Sequence, residues 1–416
     1  MNNKVDGALS GYVALDLTEG GSLMCGKILS DLGAEVIKVE PPAGSSSRKI
    51  GPFYKDIPDP EKSLFWFAYN TNKKSITLDI EKAEGKEIFR QLVRRADFVA
   101  ESFPPGHMEG LGLGYETLRQ INNQLIMTSI TPFGQSGPHA HFRASDLIPW
   151  AMSGFMYVCS YPDRPPVWIS FPQASLHGGA EAASASLIAL WIRNRTGEGD
   201  HVDVSMQECV TNVLMNAVQF WDLVGVDVPR SGNAWAAKGI KTPLGWRCKD
   251  GYVEANVLGG VHIRSNRAIV AWMAEEGVAP EWLMEFNWEV EFDSTRVSQE
   301  TVDKVSGELQ QFFLTKTKQE LWEAALERDF FLAPIYDASE IATFPQLEAR
   351  RFWTRVPHPE LNDTLTYCHP PNRMSETPCE IRRRAPLLGE DNEDIYMGML
   401  GLSREELVRL NEGGVI

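Results

Sequence analysis

The sequence predicts an α/β protein with a large doubly wound domain and a second, smaller α/β domain. Two observations carry this reading. Short apolar, β-branched runs alternate with stretches of helical period through the first third of the chain, as in a parallel sheet with crossover helices. Around Leu223–Gly239 the composition then shifts to Gly, Pro, Ser and Asn, and a new strand-and-helix series begins. A length of 416 residues with 43% hydrophobic content is ample for two cores.

Each element follows from local pattern. Tyr12–Leu17 reads as a strand, Leu23–Leu32 as an amphipathic helix and Gly33–Glu40 as the next strand, a βαβ unit. A strand at Ser75–Asp79 feeds a helix from about Ala83 to Arg95. Phe98–Glu101 is again a strand, Tyr115–Asn122 a short helix, and Leu125–Ile130 a buried strand. A small-residue helix is expected over Ala180–Trp191. In the second region Tyr252–Val257 reads as a strand, with helices near Ala268–Glu276 and Lys318–Arg328. The stretch after Ala333 is rich in Pro and polar turns, and Arg404–Asn411 reads as a final amphipathic helix. The large domain is therefore expected to be Rossmann-like. Gly20 and Gly21 lack the further glycines of a dinucleotide fingerprint, so a tight strand-to-helix turn accounts for them.

Composition excludes several functions. A net charge of −16 opposes nucleic-acid binding, and the one dense basic cluster, Arg382-Arg383-Arg384, reads as a solvated loop face. No uncharged stretch is long enough to span a membrane and Met1–Asp6 carries no apolar signal segment, which leads to the expectation of a cytoplasmic protein. The six cysteines stand singly, without metal or redox spacing, and are expected to be buried thiols with no metal bound. Twelve tryptophans, among them Trp272, Trp282, Trp288 and Trp322, read as core and interface packing.

A series of motifs identifies a family. In order they are Leu29–Glu40 (LSDLGAEVIKVE), Asn70–Asp79 (NTNKKSITLD), Gly112–Glu116 (GLGYE), Phe133–Pro138 (FGQSGP) and Arg195–Val204 (RTGEGDHVDV). Ala385–Glu390 (APLLGE), Leu400–Ser403 and Gly414–Ile416 complete the series. With these motifs the chain resembles the family III CoA-transferases, also known as the formyl-CoA transferase and carnitine CoA-transferase family, nearly end to end. The resemblance implies a large domain built from residues 1–222 and the last stretch of the chain, a linker at 223–239 and a small domain at 240–332. Residues 333–416 would be the return linker and C-terminal part of the large domain, and two chains would thread each other as interlocked rings.

The departures from the family pattern are concentrated where CoA would lie. The family nucleophile is an Asp in Pro-x-Ala-Asp, and here Ser175 stands in Pro172-Gln173-Ala174-Ser175. A hydroxyl lacks the charge and leaving-group chemistry of the aspartyl thioester shuttle. Basic residues that the family carries are replaced by Pro41, Glu81 and Gly110, and two glutamines by Gly21 and Trp150, the latter placed to fill space used by a pantetheine arm. Arg143 keeps a positive charge at a position resembling a family CoA contact. Lys38 and Lys73 are remnant candidates of the same kind, with exposed strand-end charge as the alternative reading for both and for Lys74. The racemase branch needs a His where Ser145 precedes Asp146, and its second acid/base group coincides with Ser175. A Ser175–His177 pair is disfavoured because neighbours at that spacing diverge. Ser175 is expected instead to cap the helix, its hydroxyl accepting a backbone N–H.

The resemblance then implies a non-catalytic subunit of a heteromeric CoA-transferase. A paralogous partner would supply the nucleophile and hold the CoA thioester, while this chain binds no cofactor of its own. The two-subunit members it most resembles move CoA from succinyl-CoA to a carboxylic acid such as (R)-2-benzylsuccinate, in anaerobic aromatic degradation. By the same analogy Gly259 and Gly260 are candidates for a lid over the partner's active site. An active homodimer with another nucleophile, and a ligand-binding regulatory protein, are the competing readings.

Overall fold

The computed structural model describes residues 7–237, 239–293 and 296–416. Contacts divide the chain into two units, the first comprising Met1–Met156, Trp168–Val218 and Glu348–Ile416, the second Tyr157–Val167 and Gln219–Leu347.

In the first unit β1 (Val13–Leu17), β2 (Glu35–Glu40), β3 (Lys74–Thr77), β4 (Phe98–Glu101), β5 (Ile126–Thr131) and β6 (His201–Ser205) form one parallel sheet. Its order is β3-β2-β1-β4-β5-β6, the doubly wound arrangement expected from sequence. Helices cover both faces, so even the polar strand residues Lys38, Glu40, Ser75, Thr128 and Ser129 are buried. On one face Leu15, Ile37, Val39 and Ile76 pack on Phe89 and Leu92 of α2 (Ala83–Val93) and on Tyr396 and Leu410 from the end of the chain. On the other, Ala14, Val36, Phe98 and Ile130 meet Cys25 and Leu29 of α1 (Met24–Asp31) and Ala182, Ala183 and Leu190 of α3 (Ala174–Thr196).

The small residues of α3 allow close approach. A Cβ on Gly179 would stand 3.0 Å from both the Gly21 carbonyl oxygen and Met24 Cβ, so this glycine seats α3 directly on the turn between β1 and α1.

The last stretch of the chain closes the sheet edge. Asp391 Oδ2 accepts the Ser75 N–H at 2.8 Å and Asn392 Oδ1 accepts that of Thr77 at 2.9 Å, occupying donors that an edge strand would expose. The basic triplet belongs to this closure and is not the solvated face expected. Arg383 pairs with Asp391 at 2.9 Å, Arg384 with Glu390 at 2.9 Å, and Arg382 donates to the Ser30 carbonyl. The polar stretch before it holds an antiparallel hairpin, Trp353–His358 with Asp363–Cys368.

In the second unit β7 (Ala234–Ala237) and β8 (Ile240–Pro243) pair as a hairpin, and β9 (Gly245–Cys248), β10 (Gly251–Ala255) and β11 (Leu332–Ile335) form a three-stranded antiparallel sheet. Helices α4 (Ile263–Glu275), α5 (Gln299–Leu314) and α6 (Lys318–Arg328) pack with them around Trp246, Trp272, Trp288 and Phe313. The Thr317–Glu320 capping box fixes the start of α6 where the sequence pattern places it. Residues 223–239, read as a linker, include β7 and the end of a helix, Met215–Val224. Among the described residues no helix is long and apolar enough to cross a membrane. Cys25, Cys248 and Cys379 are buried as expected, whereas Cys159 and Cys209 are half-buried and Cys368 is exposed.

Candidate functional site

Ser175 lies in the first turn of α3, which begins six residues earlier than the sequence pattern indicates. A carboxylate from a distant segment sets that start. Asp146 Oδ2 accepts the Gln173 N–H at 3.0 Å, and Oδ1 accepts both the Ser175 N–H at 2.8 Å and the Ser175 hydroxyl at 2.7 Å. The free N–H groups of the helix end are thus held by an anion that also complements the helix dipole. The capping expectation is therefore corrected: Asp146 caps α3, and the Ser175 hydroxyl donates.

Ser175 is buried beside Gly21. A Cβ on residue 21 would collide with Ser175 Oγ and stand 2.8 Å from the Leu176 nitrogen. The turn after β1 is therefore shaped for Gly, with no room for a Gln side chain. Trp150 is buried and packs on Phe155 at 4.5 Å between ring centroids. His177 is exposed on α3, away from the Ser175–Asp146 bond. The hydroxyl consequently has a carboxylate partner and no imidazole.

A cavity of about 510 Å³ opens in the first unit at the carboxyl ends of β1, β2 and β3, next to the point where the sheet order reverses. Doubly wound sheets bind ligands at such a crevice. Its walls include Leu17, Val39, Pro41, Ile80, Glu81 and Phe103, with His107 stacked on Phe103 at 4.5 Å. Pro41 and Glu81, singled out by sequence as lost basic positions, thus meet in one cavity. Gly110 is exposed at the end of the short helix His107–Gly110 that begins with His107. Among the described residues no Lys or Arg lines this cavity, and Asp79 adds a second carboxylate to Glu81.

The lysines singled out by sequence lie elsewhere. Lys73 Nζ donates to Asp16 Oδ2 at 2.8 Å and to the Leu23 carbonyl at 3.0 Å; Lys38 donates to the Thr18 carbonyl and stands 3.7 Å from Asp16 Oδ1. All three side chains are buried beneath α1, where Asp16 replaces the side chain that Gly26 lacks. Burial alone would raise the Asp16 carboxyl, but Lys73 and Lys38 together outweigh it and hold it below its ordinary value. Lys38 and Lys73 are therefore interior ion-pair residues and not exposed strand-end charges. Lys74 is half-buried and paired with Glu35 and Asp394. Of the three residues read as remnant contacts, Arg143 alone presents its charge to solvent.

Sequence reasoning also missed a perturbed carboxyl. Glu101, at the carboxyl end of β4, is pushed up to about 7 by burial against the opposing hydrogen bonds of Ser129 and the Phe103 N–H. Its period-2 placement opposite Ser129 was readable, but the depth of burial depends on the helices above.

The motifs and the fold agree with direct comparison. The model of CoA-transferase family III matches residues 9–392. The chain belongs to CoA-transferase family III. Within the family it is 34% identical to succinyl-CoA:(R)-benzylsuccinate CoA-transferase subunit BbsE of Thauera aromatica, over 93% of each chain. It is 32% identical to a formyl-CoA:oxalate CoA-transferase of Streptomyces coelicolor, over 98% of this chain and 99% of that one. The crystal structure of a CAIB/BAIF family protein from Brucella suis superposes with a TM-score of 0.80 at 27% identity, covering 95% of this chain and all of that chain, 100%. Family membership brings CoA thioester chemistry to this fold. In the Pro172–Ser175 segment this chain offers a hydroxyl already donated to Asp146.

Proposed function

We propose that this chain is the non-catalytic subunit of a heteromeric family III CoA-transferase. It builds the complex with a paralogous partner that carries the nucleophilic Asp and holds the CoA thioester. The observation that carries the reading is the Ser175–Asp146 hydrogen bond at 2.7 Å, because it puts a neutral, already engaged hydroxyl where the shuttle needs a free carboxylate. The cavity lined by Pro41 and Glu81 supports it, since CoA phosphates would meet two carboxylates and no lysine or arginine there.

Uncovered apolar surface supports the partner. The outer face of α3 carries Ile188, Trp191 and Ile192, exposed by 61%, 57% and 42%, although its inner face is already packed on the sheet. A helix that is apolar on both faces calls for cover on both. An interlocked pair with a sister subunit would provide it. The likeness to BbsE favours succinyl-CoA as donor and a benzylsuccinate-like acid as acceptor, with Arg143 as the one remnant CoA contact left at the surface.

Co-expression with the paralogue, followed by purification and intact-mass analysis, tests the assembly. Incubation with succinyl-CoA and trapping with hydroxylamine or borohydride then locates the intermediate. The adduct is expected on the partner alone; an adduct on this chain would overturn the reading.

A further inference from the structure

The sheet of the first unit carries a polar row on a face whose core is apolar. Leu17, Glu101, Ser129 and Asp203 stand opposite one another on β1, β4, β5 and β6, next to a row that contains Leu15, Val99 and Met127. His201, two residues before Asp203, belongs to the same face. Glu101 and Ser129 are 3% and 1% exposed, whereas His201 is half-buried.

Three contacts join these groups into a chain. Glu101 Oε2 accepts the Phe103 N–H at 2.6 Å. The same carboxyl shares a hydrogen bond with the Ser129 hydroxyl, and Ser129 Oγ lies 3.0 Å from His201 Nε2. Asp203, on the far side of Ser129, has both oxygens on the Gln135 N–H at 3.0 Å. Burial, and then the charges of Glu109 on the helix His107–Gly110 and of Asp203, oppose ionisation of Glu101. At the other end His201 is stacked on Tyr115 at 5.3 Å, the Asp200 carboxylate accepts its backbone N–H at 2.8 Å, and Arg119 stands 5.7 Å from the Tyr115 ring. The chain thus runs from a buried carboxyl that resists ionisation to an imidazole that reaches solvent, through a hydroxyl able to donate to either. Phe103 ties its inner end to the cavity at the carboxyl ends of β1, β2 and β3, because Phe103 lines that cavity beside Leu17 and stacks on His107.

We propose that Glu101, Ser129 and His201 form a proton relay linking the wall of this cavity to the pH of the solvent. The Glu101 carboxylic acid gives its proton to Ser129 Oγ as the Ser129 O–H gives its own to His201 Nε2. An acid and a neutral imidazole become a carboxylate and an imidazolium, the hydroxyl is regenerated, and one proton has moved outward to a ring that exchanges it with water. The carboxylate left behind holds the Phe103 N–H by a charge-assisted bond in place of a neutral one, so the cavity wall is held more firmly as pH rises. The relay lies wholly within this chain and is independent of which subunit carries the nucleophile.

Nuclear magnetic resonance titration of the full chain, with nitrogen-15 in the histidine rings and the phenylalanine amides, tests it. In the parent the His201 Nε2 and Phe103 N–H signals are expected to move in one common step near pH 7. Glu101→Gln should abolish the Phe103 step and lower the His201 midpoint by about one pH unit, the size of coupling that makes two groups titrate as a pair. Ser129→Ala should leave the Phe103 step in place and remove it from His201, while Ser129→Thr, which keeps the hydroxyl, should retain it on both. A purely coulombic effect of Glu101 on His201 needs no hydroxyl and would survive in Ser129→Ala. An identical His201 titration in the parent and the Glu101→Gln chain, or a common step that persists in a folded Ser129→Ala chain, would each overturn the proposal. Neither result bears on the subunit reading, because partner capture and adduct location are measured separately.

Discussion

Ser175 and Asp146, 29 residues apart, share two hydrogen bonds through a single carboxylate oxygen: the Ser175 N–H at 2.8 Å and its hydroxyl at 2.7 Å both end on Asp146 Oδ1. A carboxylate placed at residue 175 would therefore face Asp146 at hydrogen-bond distance. Two carboxyls so close cannot both ionise freely, and one must hold a proton.

That relationship sets the outcome of the obvious reversal. Ser175→Asp is expected not to restore CoA transfer. The new carboxyl would have its proton affinity raised by Asp146, and Gly21 leaves no side chain to orient it. Charge-assisted phosphate contacts contribute roughly 1.5–3 kcal/mol each, so three missing ones weaken CoA binding by several orders of magnitude. Steady-state assay with succinyl-CoA decides this: turnover by the single variant would show that the reading of the CoA cavity is wrong.

Asp146 itself is expected to matter for stability. Asp146→Ala removes the acceptor for two backbone N–H groups and one hydroxyl at the start of a 23-residue helix. Loss of a helix cap costs about 0.5–2 kcal/mol, and buried donors left unpaired add to that. A lowered denaturation midpoint with an unchanged slope is expected in urea. Asp146→Asn, which keeps one acceptor oxygen, should lose less, and equal loss in both variants would show that the cap is not the source.

The elements legible from sequence were those whose pattern is set by the sheet itself. Phe98–Glu101 is found with the predicted bounds because a strand buried on both faces is a short, largely apolar run, here Phe98, Val99 and Ala100. The start of α3 was missed because its determinant, Asp146, acts across 27 residues and has no local signal at Gln173. Likewise Lys38 and Lys73 look like surface charges in any window of sequence. Only the parallel register, which sets Asp16 beside Lys38 and brings Lys73 within reach, makes them interior. Pro41 and Glu81 were legible as site positions through the family motifs, in which both stand where basic residues are expected; Pro41 directly follows β2 and Glu81 lies on the loop after β3, at the strand ends where ligands of this fold class bind. Their meeting in one cavity depended on β2 and β3 being neighbours.

Glu101 should make stability depend on pH. Its carboxyl moves from an ordinary 4.5 to about 7 in the folded chain, through burial. The folded state then binds more protons than the unfolded state between these values, so stability is full below the unfolded value and falls as pH rises toward 7. Glu101→Gln removes the ionisation while keeping a polar acceptor for the Phe103 N–H. Thermal denaturation should show the variant gaining several degrees over the parent at pH 8 and little or nothing at pH 4.5. A gain of equal size at both pH values would assign the effect to packing.

The glycine pair after β10 gives a test of the lid assigned to this chain by analogy. Gly260 has φ of +66°, a backbone conformation that side chains rarely adopt, while Gly259 at −75° is ordinary. Open space surrounds the position of a Cβ on Gly260. Gly260→Val thus acts through backbone conformation alone, whereas Gly259→Val adds bulk with little strain and also alters the wall of a cavity that His262 lines. If this loop closes over the partner's nucleophile, Gly260→Val should reduce turnover of the assembled complex at least tenfold with assembly intact. Unchanged turnover in an intact Gly260→Val complex would leave the glycine pair an ordinary turn between β10 and α4 and remove the lid from the mechanism.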